Sequence, residues 1–205
     1  MRNKYIFTCF VYLLLTNFCI GQPVLDTQTL EDYVSRSKRK IQIFLDNLPY
    51  IADSNNPYQD RKAGIPPTLK IFATGAIIEE VNKHSGRKKV NSPKEYLERI
   101  LKRTERAPII IDFEIIDDVS PKKLRKKRNK DGSISYVGKM TFRQYYCKMK
   151  EQQEFLEPTS ESPDINCSYA DTTDKQVNFE IKVMENINGK FWITLISSIE
   201  VLRVF

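Results

Sequence analysis

In Val177-Asn178-Phe179-Glu180-Ile181-Lys182-Val183 every odd position is apolar and every even position is polar. That period of two belongs to a strand with one buried face. Asn188-Gly189 supplies the left-handed backbone angles of a tight turn, and Phe191-Trp192-Ile193-Thr194-Leu195-Ile196 reads as a return strand that is apolar on both sides. A chain ending in this hairpin needs upstream elements to cover the apolar rows. At 205 residues, 40% of them hydrophobic and 29% charged, it is long enough for one domain with a sizeable core.

The upstream residues supply those elements. From Asp26 or Thr29 to about Leu48, Leu30, Val34, Ile41, Phe44, Leu45 and Leu48 mark one stripe at three- and four-residue spacing, the pattern of a helix with one buried face. Arg36, Lys38, Arg39 and Lys40 fall between them and read as its solvated side. Pro66-Pro67 suits the opening of a short second helix through Thr68 to Phe72, and Ala76-Ile77-Ile78-Glu79-Glu80-Val81 reads as a strand. A polar turn with the single histidine, His84, follows. Ser92-Pro93-Lys94-Glu95 then carries a capping hydroxyl, a proline at the first helical position and a carboxylate three residues after the cap, which together open a helix with Tyr96, Leu97, Ile100 and Leu101 on one face. Ile109, Ile111, Phe113 and Ile115 alternate with Asp112 and Glu114 as another half-buried strand, and Tyr136 to Met149 resumes as a long one. Glu157 to Lys175, rich in Pro, Ser, Asp and Thr, reads as an exposed loop.

The first 21 residues place Arg2 and Lys4 before the apolar run Tyr5 to Leu15, and Cys19-Ile20-Gly21 precedes Gln22. This is the pattern of a secretory signal peptide cleaved before Gln22. The apolar run is short of the ~20 residues that span a bilayer, so no transmembrane span is expected after cleavage. The alternative is lipid anchoring through Cys19, although Phe18 departs from the lipoprotein pattern. Cleavage lowers the net charge from +7 to +5 and leaves Cys147 and Cys167 as the only cysteines of the exported chain. In an oxidising compartment they form either a disulfide, which would stabilise the fold by roughly 3 kcal/mol, or two unpaired thiols.

One segment stands apart. Lys122, Lys123, Arg125, Lys126, Lys127, Arg128 and Lys130 place seven cations and no acid in a short run before the turn Asp131-Gly132. The run reads as the flap at 121–133 joining two strands. Two roles are open to it: a solvated hairpin tip, or an anion-binding patch that an exported protein would turn toward lipid headgroups or acidic polysaccharide rather than a specific nucleic acid.

The order of elements, with Leu69-Lys70-Ile71-Phe72 leading into Ala76-Ile77-Ile78, then Ser92-Pro93-Lys94-Glu95-Tyr96-Leu97 and Gly189-Lys190-Phe191-Trp192-Ile193, resembles the nuclear-transport-factor-2-like superfamily over residues 28–205, as a secreted bacterial member. That cone-shaped fold is shared with ketosteroid isomerase and the polyketide cyclases. The resemblance implies an α+β fold: a curved, mainly antiparallel sheet packed on N-terminal helices, with a pocket between them. In such a cone the inward residues Ile111, Phe113, Phe179, Ile181 and Ile193, with Tyr145, would line an apolar pocket, while Asp112, Glu114, Glu180 and Lys182 would face out. Ile110, Ile116, Trp192 and Ile196 would then form an outer apolar row fit for a homodimer.

No cofactor or metal is expected. One histidine and two distant cysteines do not make a usual zinc set, and there is no glycine-rich phosphate loop. The expected function is a non-enzymatic binding or assembly module, with a small pocket enzyme of isomerase or cyclase type as the alternative. Titratable side chains converging on one cavity would favour the enzyme.

Overall fold

The computed structural model describes residues 24–149, 167–187 and 189–205. The expected signal peptide with Cys19 and Gln22, residues 157–166 of the expected loop, and Asn188 of the turn lie outside the described residues.

Helix α1 (Thr27–Ala52) opens where Asp26 Oδ1 accepts a hydrogen bond from the Thr29 backbone N–H at 2.8 Å. It runs one turn past Leu48 because Ile51 and Ala52 continue the buried stripe of Val34, Ile41, Phe44, Leu45 and Leu48. Its basic side is only partly solvated: Lys38 pairs with Asp118, and Lys40 donates to the Thr194 carbonyl at 2.6 Å. The single short helix expected at 68–72 is instead two, α2 (Tyr58–Ala63) and α3 (Ile65–Leu69), with Pro66 and Pro67 in the first turn of α3. Phe72 belongs to β1 (Phe72–Val81), where its ring packs edge-on against Phe44 at 5.7 Å. β2 (Lys88–Asn91) has no alternating pattern to betray it, since Lys88, Lys89 and Val90 are all exposed. The capping box forms as the spacing predicts, and α4 runs from Pro93 to Thr104.

The remaining strands are β3 (Ile109–Asp117), β4 (Arg125–Arg128), β5 (Ile134–Met149), β6 (Cys167–Asn186) and β7 (Gly189–Val204). They form one sheet in the order β2-β1-β7-β6-β5-β3, with β4 also paired to β5. Only β1 and β7 run parallel. The fold is α+β, a mixed and mainly antiparallel sheet packed against N-terminal helices, consistent with the cone expected above. Cys147 and Cys167 form a disulfide between β5 and β6, with Cα atoms 5.5 Å apart. No helix among the described residues is long and apolar enough to cross a membrane.

Several expectations are corrected by register. The stretch 167–175 is not loop: it pairs with β5 from Met149↔Cys167 to Phe142↔Lys175. On β7 the ladder shifts by one residue between Asn178↔Ser198 and Phe179↔Ile196, and such a bulge reverses which residues face the core. Trp192 and Ile196 therefore turn inward, Ile196 fully buried, while Ile193 sits opposite Lys182 on the outer face. Two of the four residues proposed as an outer apolar row are thus part of the core packing. Tyr145 is also outward, 39% exposed, with its hydroxyl donating to Glu114 at 2.8 Å. The basic flap is itself structure: Lys122 and Lys123 lie in a 3-10 turn, Arg125 to Arg128 make β4, and only Lys130 sits at the hairpin tip.

Candidate functional site

The inner faces of β5 and β6 change chemistry along their length. On β6 the inward row runs Ile181, Phe179, Val177, all fully buried, and then Lys175, Thr173, Asp171, Tyr169. On β5 the matching row runs Met140 and Phe142, then Gln144, Tyr146, Lys148, in register with Thr173, Asp171 and Tyr169. Apolar core thus gives way to polar wall at the Phe142↔Lys175 pair.

Two further elements close this polar end. Helix α4 presents Tyr96, Arg99, Ile100 and Arg103, spaced so that all four share one face. The β1–β2 hairpin adds Glu80, Arg87 and Lys89. Between them lies a cavity of about 600 Å³, within the size range of small-molecule sites.

The wall is strongly cationic. Arg87, Lys89, Arg99, Arg103, Arg106, Lys148 and Lys175 line it against two carboxylates, Glu80 and Asp171. Both acids are engaged. Glu80 pairs with Arg99 and accepts from Asn91 Nδ2 at 2.9 Å, and Asp171 accepts from the Tyr169 hydroxyl at 3.2 Å and Thr173 Oγ1 at 3.4 Å. Arg99 Nη1 donates to Asn91 Oδ1 at 2.9 Å, but its buried Nε has no hydrogen-bond partner among the described residues.

Lys175 is the most deeply buried of the cavity cations, 6% exposed. Among the described residues its ammonium makes neither ion pair nor hydrogen bond, and its neighbour is the face of the Tyr96 ring, 5.6 Å away. Burial, reinforced by the charge of Arg99 and opposed by Asp171, lowers its pKa from 10.5 to about 8. Burial likewise lifts the Tyr96 phenol to about 12, with a hydrogen bond from Gln144 partly opposing the rise. Tyr146 and Tyr169 are raised too, in each case chiefly by desolvation.

The sequence-expected pocket residues lie elsewhere. Ile111, Phe179 and Ile181 are buried in the continuous apolar core, Phe113 packs against it edge-on to Phe142 at 5.4 Å, and Tyr145 and Ile193 face outward. None of the flap cations lines the cavity. Lys123 pairs with Asp117, and Lys127 lies 3.5 Å from Glu180. The residues missed were Arg99, Arg103, Tyr169, Asp171 and Lys175. Counting back by twos from Val177 would have found the last three.

No protein-family model matches this chain, and no curated protein matches it. Solved structures do. ActVI-ORFA from Streptomyces coelicolor is similar at 9% identity and a TM-score of 0.35, over 80% of this chain and 95% of that one. SalBIII, described as an epoxide hydrolase/cyclase-like enzyme of pyran ring formation in salinomycin, is similar at 12% identity and a TM-score of 0.26, over 80% and 89%. The intermembrane space region of the chloroplast protein ARC6 is similar at 14% identity and a TM-score of 0.33, over 88% and 98%. At such values the functional reading rests on the site alone.

Proposed function

We propose that this chain is an exported binding module that takes a small organic anion into the cavity between α4 and the polar ends of β5 and β6. The observation that carries this reading is Lys175, a buried ammonium that makes no ion pair or hydrogen bond among the described residues, in a cavity where cations outnumber engaged carboxylates. Burying a charge without a counter-ion is costly, and a bound carboxylate or phosphate would offset that cost with charge-assisted hydrogen bonds. Tyr96, Ile100, Ile109 and Tyr146 offer apolar surface to the body of the ligand. Export is supported by the Cys147–Cys167 disulfide, since such bonds persist in oxidising compartments.

The pocket-enzyme alternative is favoured by one observation, the convergence of Lys175, Tyr146, Tyr169 and Asp171 on a single cavity. The basic run 122–130 is proposed as a second, separate surface for lipid headgroups or acidic polysaccharide.

Titration with terephthalate, an aromatic dicarboxylate, tests the cavity by calorimetry and thermal shift. Saturable binding is expected, weakening with salt and falling at least tenfold in Lys175→Met or Arg103→Ala. Absence of binding in the unmodified protein, or undiminished affinity in both variants, refutes the reading.

A further inference from the structure

We propose that Lys175 is a covalent capture residue, whose amine condenses with the carbonyl carbon of an anionic aldehyde or ketone held in the cavity to form an imine. This rests on the anion-binding reading and assigns the cavity a chemistry. The cation-rich rim would hold the acid group of the ligand and so present its carbonyl to the floor, where Lys175 stands. A desolvated lysine beside another cation is a recognised way to arm an amine as a nucleophile.

Three features of the site point there. Lys175 opens on the cavity yet is 6% exposed, so a carbonyl compound reaches it only through the pocket. Its nitrogen is committed to no hydrogen bond among the described residues, leaving the lone pair of the neutral amine free to attack. The Tyr96 ring at 5.6 Å packs beside it and limits its hydration.

The step balances without any further reactant. The Nζ lone pair attacks the carbonyl carbon and the C–O π pair becomes the hydroxyl of a carbinolamine, with protons exchanged through cavity water. Nitrogen then forms C=N as the hydroxyl leaves, and one water is released for each imine formed. No oxidant or reductant takes part.

The charged and titratable groups that line the cavity with Lys175 are Tyr96, Arg99 and Arg103 from α4 with Arg106 just beyond it, Glu80 from β1, Lys89 from β2 with Arg87 in the turn before it, Tyr146 and Lys148 from β5, and Tyr169 and Asp171 on its own strand. With Glu80 bound to Arg99, burial and Arg99 act against protonation and Asp171 alone acts for it. A pKa of about 8 gives Lys175 roughly 200-fold more neutral amine at pH 7.5 than an ordinary surface lysine near 10.4.

The test treats the disulfide-intact protein with 4-carboxybenzaldehyde and cyanoborohydride at pH 7.5, then reads intact mass and peptide maps. One dominant adduct is expected, on Lys175 and at least tenfold above any other lysine. It should be suppressed by terephthalate and rise with pH to a plateau above 8. Lys175→Arg loses the amine, so it should lack this adduct while the labelling of the other lysines stays as in the natural protein. Because the site is mapped in the unmodified protein, the result stands even if that variant folds poorly. Labelling spread over surface lysines with Lys175 unmodified, while terephthalate still binds, overturns the covalent step and leaves the anion site standing. Loss of both labelling and terephthalate binding overturns the two together.

Discussion

Burying the ammonium of Lys175 ties the stability of the fold to pH in a definite direction. Its folded pKa of about 8 lies below the ordinary 10.5, so between those values the unfolded chain holds more protons than the folded one, and stability rises with pH across that window. Below pH 8 both states are protonated and the full penalty is present, about 3 kcal/mol at ~1.4 kcal/mol per unit. Lys175→Met should therefore be more stable than the natural protein by about this amount at pH 7, with the gain fading toward pH 10.5. Denaturant titrations of both proteins at pH 7 and pH 10 check this; a pH-independent difference contradicts it. A second residue carries the opposite lesson. A Cβ on Gly138 would lie 2.2 Å from Phe179 Cζ and 2.7 Å from Leu124 Cδ2, so this glycine lets the Phe179 ring approach the backbone of β5 closely. Gly138→Ala should cost about 1–3 kcal/mol, the usual range for overpacking, and an unchanged midpoint would show that the ring moves aside freely.

Elements with strong local chemistry were legible in the sequence, and those defined only by pairing were not. The Ser92/Glu95 capping box fixed the start of α4, and the stripe from Val34 to Leu48 fixed the buried face of α1. β2 and the first half of β6 were not legible, because a strand whose inward row is Tyr169, Asp171, Thr173 and Lys175 has the composition of a loop. What holds that half in the sheet is β5 beside it and the Cys147–Cys167 bridge, whose two cysteines are 20 residues apart. In the chain-entropy account a loop of that length is worth about 3 kcal/mol. Replacing both cysteines with serine should lower stability by about that much and raise amide exchange first at 169–173, because these residues sit next to the bridge on the cavity wall. If exchange there stays at the level of the core row 177–181, the ladder alone suffices. The same blind spot hid the site: an apolar row implied a greasy pocket, whereas a buried apolar row in this fold is simply filled core, and the cavity begins where the row turns polar.

At the scale of the whole molecule, the positive charge is divided between two places. The cavity uses residues 144–148 of β5, while β4 pairs with 134–137, about ten residues away along the same strand. At ~3.3 Å per residue that is roughly 30 Å, several times the ~8 Å Debye length at physiological salt, so the two should act independently. β4 is short, exposed along its whole length and cationic on both faces, and among the described residues only Lys123 and Lys127 of the seven flap cations are in ion pairs. Lysines along such an edge also guard it against pairing with other chains. Changing Lys126, Lys127 and Arg128 to serine separates the two roles. If the run binds anionic surfaces, the variant should elute from heparin at lower salt and bind anionic vesicles more weakly, with a shallower salt dependence because fewer counterions are released. Its affinity for terephthalate should be unchanged, while Lys175→Met should show the reverse pattern. If the run only protects the edge, heparin retention should match the natural protein and the variant should instead self-associate as its concentration rises, which sedimentation would show.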